Sequence, residues 1–180
     1  MTVLIALLRG IGPATHAKMS MEDLRNACKA SGLERVATYI ATGNLILESR
    51  KSAADVRAII EGVLRGFDLA NRVVMRKPDD LAAIVAANPF PKAAALRPSK
   101  LVVCFLAATP DAGSLAKLLQ YRGPERFKLV GRELCVDYPN GVTGSTLTPG
   151  VLERRLDTPA TFRNWSTVQK LLAMARKCDS

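Results

Sequence analysis

The chain has 180 residues, 48% of them hydrophobic and 23% charged, which is ordinary globular usage and excludes disorder over most of its length. No apolar run approaches the roughly 18 residues of a membrane span. The start, Met1-Thr2-Val3-Leu4-Ile5, passes into a strand pattern without a basic leader region, so a cytoplasmic protein with no membrane partner is expected. The charge balance narrows the partners: 26 Lys and Arg against 16 Asp and Glu give +10, which favours an anionic one.

Cysteine and histidine usage offers little chemistry. Cys28, Cys104, Cys135 and Cys178 are far apart, with no C-x-x-C pair and no Cys-His cluster, so no metal and no cofactor is expected and the thiols read as small core residues. His16 is the single histidine, and it falls in a glycine-containing loop.

In chain order, Val3 to Leu8 is apolar at every position, the pattern of a strand covered on both faces. Ser20 with Asp23 forms a variant capping box for a helix carrying Met21, Leu24 and Cys28 and stopping at Gly32. Val36 to Ile40 and Leu45 to Glu48 read as a hairpin. A two-residue Gly43-Asn44 loop would set Ile40 opposite Leu47 and Tyr39 opposite Glu48. Ser52 caps a second helix with Val56, Ile59, Ile60 and Val63 on its apolar stripe, and residues 72–75 supply a fourth strand. The order β-α-β-β-α-β is the ferredoxin-like arrangement.

Pro78 opens a further helix, ended by Asn88-Pro89-Phe90-Pro91, and the stretch up to Pro98 reads as a connector. The pattern then restarts. Leu101 to Leu106 is a second doubly buried strand, Thr109-Pro110-Asp111 opens a helix with Leu115, Leu118 and Leu119, and residues 126–130 pair with 133–138 across a Gly131-Arg132 turn. A helix near 148–156 follows. The polar segment after Asp157 shows no fourth strand, and Thr158-Pro159 is expected to open a final helix carrying Phe162, Trp165, Val168 and Leu172. The expected fold class is therefore α+β, two tandem ferredoxin-like plaits of which the second is less complete, with a C-terminal helix. The expected divisions are 1–77 for the first plait, 78–99 for the connector, and 100–180 for the second plait. The repeat is one of architecture, with no residue identity visible.

Residues 1–90 carry 12 basic and 9 acidic groups and residues 91–180 carry 14 and 7, so the electrostatic footprint belongs to the second half. Arg126 and Lys128 share a strand face, but the expected hairpin sets Arg126 opposite Asp137 and Lys128 diagonal to Glu133. That face compensates itself. The first strands lack the aromatics on which an RNA-recognition sheet stacks bases, and Arg154-Arg155 and Arg176-Lys177 read as solvated helix faces.

Arg9-Gly10-Ile11-Gly12-Pro13 leaves a central strand and leads through His16 and Lys18 to a helix start, a geometry able to hold an anion although neither a Walker A nor a G-x-G-x-x-G motif is present. Residues 4–11, Lys18 to Leu24, Thr38-Tyr39-Ile40 with Thr42-Gly43-Asn44, Asn88-Pro89-Phe90, and Arg163-Asn164-Trp165 with Thr167-Val168 together resemble the domain-of-unknown-function family 1697 of bacterial proteins. The resemblance covers essentially the whole chain. It implies two ferredoxin-like plaits in tandem and no established activity, substrate or cofactor. The chain departs from the family pattern at Gly12-Pro13-Ala14-Thr15, where Asn-Val-Gly-Gly is usual, at Ala17 in place of Asn, and at Ala41-Thr42 in place of Gln-Ser.

The functional expectation is a binding module for an anionic ligand, a phosphorylated small molecule or a nucleic acid, in a cleft between the plaits. The residues assigned to it are Arg9, Gly10, His16, Lys18, Tyr39, Thr42, Asn44, Arg163, Asn164 and Thr167. An enzyme acting on an anionic substrate at the same cleft, or a structural homodimer, are the alternatives. No nucleophile or acid-base pair stands out among the matched segments.

Overall fold

The computed structural model describes residues 1–178. Its elements are β1 (Thr2–Leu8), α1 (Pro13–His16), α2 (Met21–Ala30), β2 (Glu34–Tyr39), β3 (Asn44–Ser49), α3 (Ala53–Gly66), β4 (Val73–Arg76), α4 (Pro78–Ala86) and α5 (Pro91–Leu96), then β5 (Leu101–Leu106), α6 (Ala112–Leu119), β6 (Arg126–Val130), β7 (Glu133–Asp137), α7 (Pro149–Leu156), β8 (Ala160–Asn164) and α8 (Trp165–Cys178). The fold is mixed α+β, with two four-stranded antiparallel sheets ordered β2-β3-β1-β4 and β6-β7-β5-β8 and a C-terminal helix. The chain divides into two units. The first is Met1–Ala82 with the segment from Lys170 onward, and the second is Ala83–Gln169.

In the first unit local signals set the helices. Ser20 accepts from the Asp23 N–H (3.0 Å) while Asp23 accepts from the Ser20 N–H (2.9 Å), and Ser52 accepts from the Asp55 N–H (3.1 Å). Leu24 and Cys28 of α2 and Val56, Ile60 and Leu64 of α3 pack with Leu4, Ala6, Leu8, Leu45 and Leu47. The opposite sheet face, with Val3, Ile5, Leu7, Ile46 and Val74, is buried as well. This explains why β1 is apolar without alternation.

The expected hairpin register does not form. Tyr39 pairs with Asn44 and Thr38 with Leu45, so Ile40 does not face Leu47 and the turn is 40–43. Ile40 and Gly43 both have positive φ, +49° and +80°. Asn44 is fully buried, and its amide donates to Tyr39 O (2.9 Å) and Thr42 Oγ1 (3.0 Å). A side chain that closes the turn from inside belongs to the strand, which moves the pairing.

In the second unit the expected incompleteness is overturned. Ala160–Asn164 is a fourth strand paired with β5, Phe162 lies in it, and the last helix starts only at Trp165. Thr161 and Arg163 are buried on the face opposite Ala160 and Phe162, which join the core of Val102, Cys104 and Leu106. The connector contains a short helix, α5, and Leu119 at the end of α6 is 67% exposed. The Gly131-Arg132 turn forms, with Val130 opposite Glu133 and Arg126 opposite Asp137.

The two sheets repeat one polar pattern. Val3 faces Glu48 as Leu101 faces Asp137, each one residue before the same point of its central strand, and Ile5 faces Arg76 as Val103 faces Arg163. Glu48 pairs with Arg35 and Asp137 with Arg126, both at 2.9 Å. Arg76 and Arg163 each donate Nη1 to the carbonyl of the preceding residue at 2.8 Å. The sign of the charge therefore repeats, a carboxylate at Glu48 and Asp137 and an arginine at Arg76 and Arg163, at buried positions that apolar periodicity does not track.

Candidate functional site

β1 delivers Arg9 and Gly10 to the end of the first unit's sheet, and both are exposed. The Arg9 N–H donates to Arg72 O (2.9 Å), and Asn71 Nδ2 donates to Arg9 O (2.8 Å) and Gly10 O (3.2 Å). Gly10 adopts φ +71°, which leaves its carbonyl turned toward that asparagine.

His16 closes the short helix α1 instead of lying in an open loop. The Thr15 hydroxyl accepts from the Gly12 N–H (2.9 Å) and donates to Gly12 O (2.8 Å), while the Thr15 and His16 N–H groups also donate to Gly12 O (3.0 Å each). Backbone donors expected to face an anion are thus engaged within the turn. His16 Nε2 lies 2.7 Å from Ala41 O, a contact that requires the proton on Nε2. Lys18 Nζ donates to Asp68 O (3.1 Å).

The turns on either side of His16 are interlocked. The Leu8 N–H donates to Gly43 O (2.8 Å), and Gly43 sits so close to its neighbours that a Cβ there would stand 2.6 Å from Ile11 Cγ1 and 2.8 Å from Leu8 Cβ. Through Asn44, Tyr39 and Thr42 join the same group. The first unit therefore brings together Arg9, Gly10, His16, Tyr39, Thr42 and Asn44. Asn44 has no exposed surface, and its work there is to hold the turn.

Arg163, Asn164 and Thr167 belong to the second unit. Arg163 is buried, donates to Thr161 Oγ1 and Phe162 O (2.8 Å each), and burial lowers its guanidinium to about 10. Asn164 Oδ1 accepts from the Thr167 N–H (2.9 Å), capping α8, and Trp165 beside it is buried. These are structural duties, and the expected ligand-facing arginine is a sheet-face residue.

The three buried thiols, Cys28, Cys104 and Cys135, offer no nucleophile at neutral pH. Burial pushes Cys28 up to about 11 and Cys135 up to about 12, and raises Cys104 well above its ordinary value. Among the described residues no group of three His, Cys, Asp or Glu side chains could hold a metal ion, and no described helix is long and apolar enough to cross a membrane. What the sequence reading missed is the burial of charge in the second unit. Asp137 accepts from Arg97 (3.1 and 2.7 Å) as well as Arg126, and Glu133 accepts from the Leu106 N–H (2.9 Å).

The family model described as "Protein of unknown function (DUF1697)" matches residues 1–134. A solved structure of a conserved bacterial protein from Streptococcus pneumoniae is similar over 98% of this chain and 99% of its own, with a TM-score of 0.73 and 22% sequence identity, a likeness of fold. Among curated proteins none matches.

Proposed function

The chain belongs to domain-of-unknown-function family 1697, and from that premise we propose that it is a binding module for an anionic ligand, a phosphorylated small molecule or a nucleic acid. The observation that supports this is the unequal burial of its charges. Among the described residues Glu48, Glu125, Glu133 and Asp137 are buried, whereas the buried cations are Arg76 and Arg163. Asp23, Asp55 and Asp111 are further committed to helix N-termini. With Arg35 paired to Glu48 and Arg97 and Arg126 to Asp137, the exposed surface keeps a cationic excess close to the formal +10. We place one point of contact at the loop group around Arg9. The reading also takes each sheet with its helices as a ferredoxin-like plait, supported by the strand orders β2-β3-β1-β4 and β6-β7-β5-β8, and the protein as cytoplasmic, supported by four free cysteines.

The test is mass spectrometry of the supernatant after denaturing protein purified from its host, together with fluorescence anisotropy of a labelled single-stranded RNA at several salt concentrations. A retained phosphorylated compound, or RNA affinity that falls steeply with salt, is the expected outcome. Absence of both sinks the proposal.

A further inference from the structure

A groove of about 590 Å³ opens on the second unit, and three cations line it without a carboxylate: Lys117 from α6 and Arg154 and Arg155 from α7. Its volume lies within the roughly 300–1,000 Å³ typical of small-molecule sites. Arg154 and Arg155 occupy the last turn of α7, a position that alone would be read as dipole compensation. Lys117, from the last turn of α6, lines the same groove, so two helices deliver cations to one place.

The walls are ordered in advance. Arg155 Nη1 donates to Lys117 O (2.5 Å), and its guanidinium lies 5.9 Å from the centre of the Tyr121 ring. The Tyr121 hydroxyl donates to Glu125 and lies 3.1 Å from Thr146 Oγ1, and Ser145 Oγ also donates to Glu125 (2.6 Å). Glu125 is buried behind the tyrosine. Burial would raise its carboxyl, but the Ser145 and Tyr121 hydroxyls outweigh that and hold it low. Other nearby carboxylates are occupied: Glu153 accepts from the Ala160 N–H (2.8 Å), and Asp111, which senses Lys117, caps α6 through the Ser114 N–H (2.7 Å). Gly123 lets this wall close, since a Cβ there would stand 1.8 Å from the Tyr121 hydroxyl. With Arg155 held in this way, its guanidinium binds with little ordering cost.

We propose that this groove is the binding site for the phosphate group of a small phosphorylated molecule, with Lys117, Arg154 and Arg155 taking the phosphate oxygens and Val151 and the Tyr121 ring the uncharged part. A dianionic phosphate matches three cations better than a single carboxylate does, and arginine presents the paired donors that suit it. The proposal rests on the anion-binding reading above and names a site for it outside the Arg9 loops.

Isothermal titration calorimetry of the full chain with inorganic pyrophosphate and with adenosine monophosphate tests it. Saturable binding is expected that weakens about tenfold or more in Lys117→Ala and in Arg154→Ala, both exposed positions, and is unchanged in Arg57→Ala, an exposed arginine of α3. Amide shifts of Tyr121 and Thr146 on titrating the unaltered protein report the same site should a variant fail to fold. Binding that is lost in Arg9→Ala and kept in both groove variants overturns the groove and leaves the anion-binding reading standing. So does RNA binding with no response to either small probe. No binding of pyrophosphate, adenosine monophosphate or RNA overturns both.

Discussion

Asp137 has no exposed surface, yet it is the acceptor for two guanidinium groups, Arg97 through two bonds and Arg126 through one. Burial would raise its carboxyl, but the hydrogen bonds and charges of Arg97 and Arg126 outweigh that and hold it below the ordinary carboxylate value. A carboxyl depressed in the folded state contributes stability that is fully present above its unfolded pKa of about 3.9 and is lost as pH falls through the folded value. Asp137→Asn is expected to cost about 2 kcal/mol at neutral pH, and the deficit relative to the unaltered protein should shrink below about pH 4. Urea melts at pH 7 and pH 3 check both parts. The Arg126 half of this arrangement is legible in the sequence, because a two-residue turn at 131–132 fixes the register. The Arg97 half is not, since 40 residues separate it from Asp137 and the connector gives no pattern to place it.

At the scale of elements, strand β8 shows where pattern reading fails. Its sequence, Ala-Thr-Phe-Arg-Asn, does alternate, but the residues on one face are Thr161 and Arg163, which look like solvent-facing choices and are in fact buried. A polar inner face defeats any rule that equates burial with apolarity. The β3 hairpin fails for the opposite reason: Asn44 looks like a turn residue, and its buried amide instead makes it the first rung of the ladder. The helices were easier, because Ser20, Ser52, Asp111 and Thr148 each cap through their own side chain as local chemistry predicts. Gly43 ties the elements at the Arg9 loops together. Gly43→Ala combines a positive φ with a Cβ pressed against Ile11 and Leu8, so it is expected to cost about 2–4 kcal/mol and to shift the amide resonances of residues 8–11, which a heteronuclear NMR spectrum would display.

At the scale of the whole molecule, the first half of the chain does not exhaust the first unit: it takes in Met1–Ala82 and recruits the segment from Lys170 onward. Within that segment Leu171, Leu172 and Ala175 are buried, so its contribution is one of apolar area. Ending the chain after Gln169 is expected to destabilise the first unit, read as a lowered melting temperature and as earlier loss of amide protection in α2 and α3 than in the second unit's helices. Composition gave no sign of this, because nothing in an amphipathic helix states which sheet it will serve. The recruitment has a consequence for synthesis. A ribosome releases the β1-to-β4 segment long before it makes Lys170, so the first unit to emerge is the one that must wait for its missing piece, while the second has all of its residues sooner after its own start. During that interval the apolar surface awaiting Leu171, Leu172 and Ala175 is open to whatever chaperones are at hand, and synthesis rate over residues 83–169 sets how long the exposure lasts.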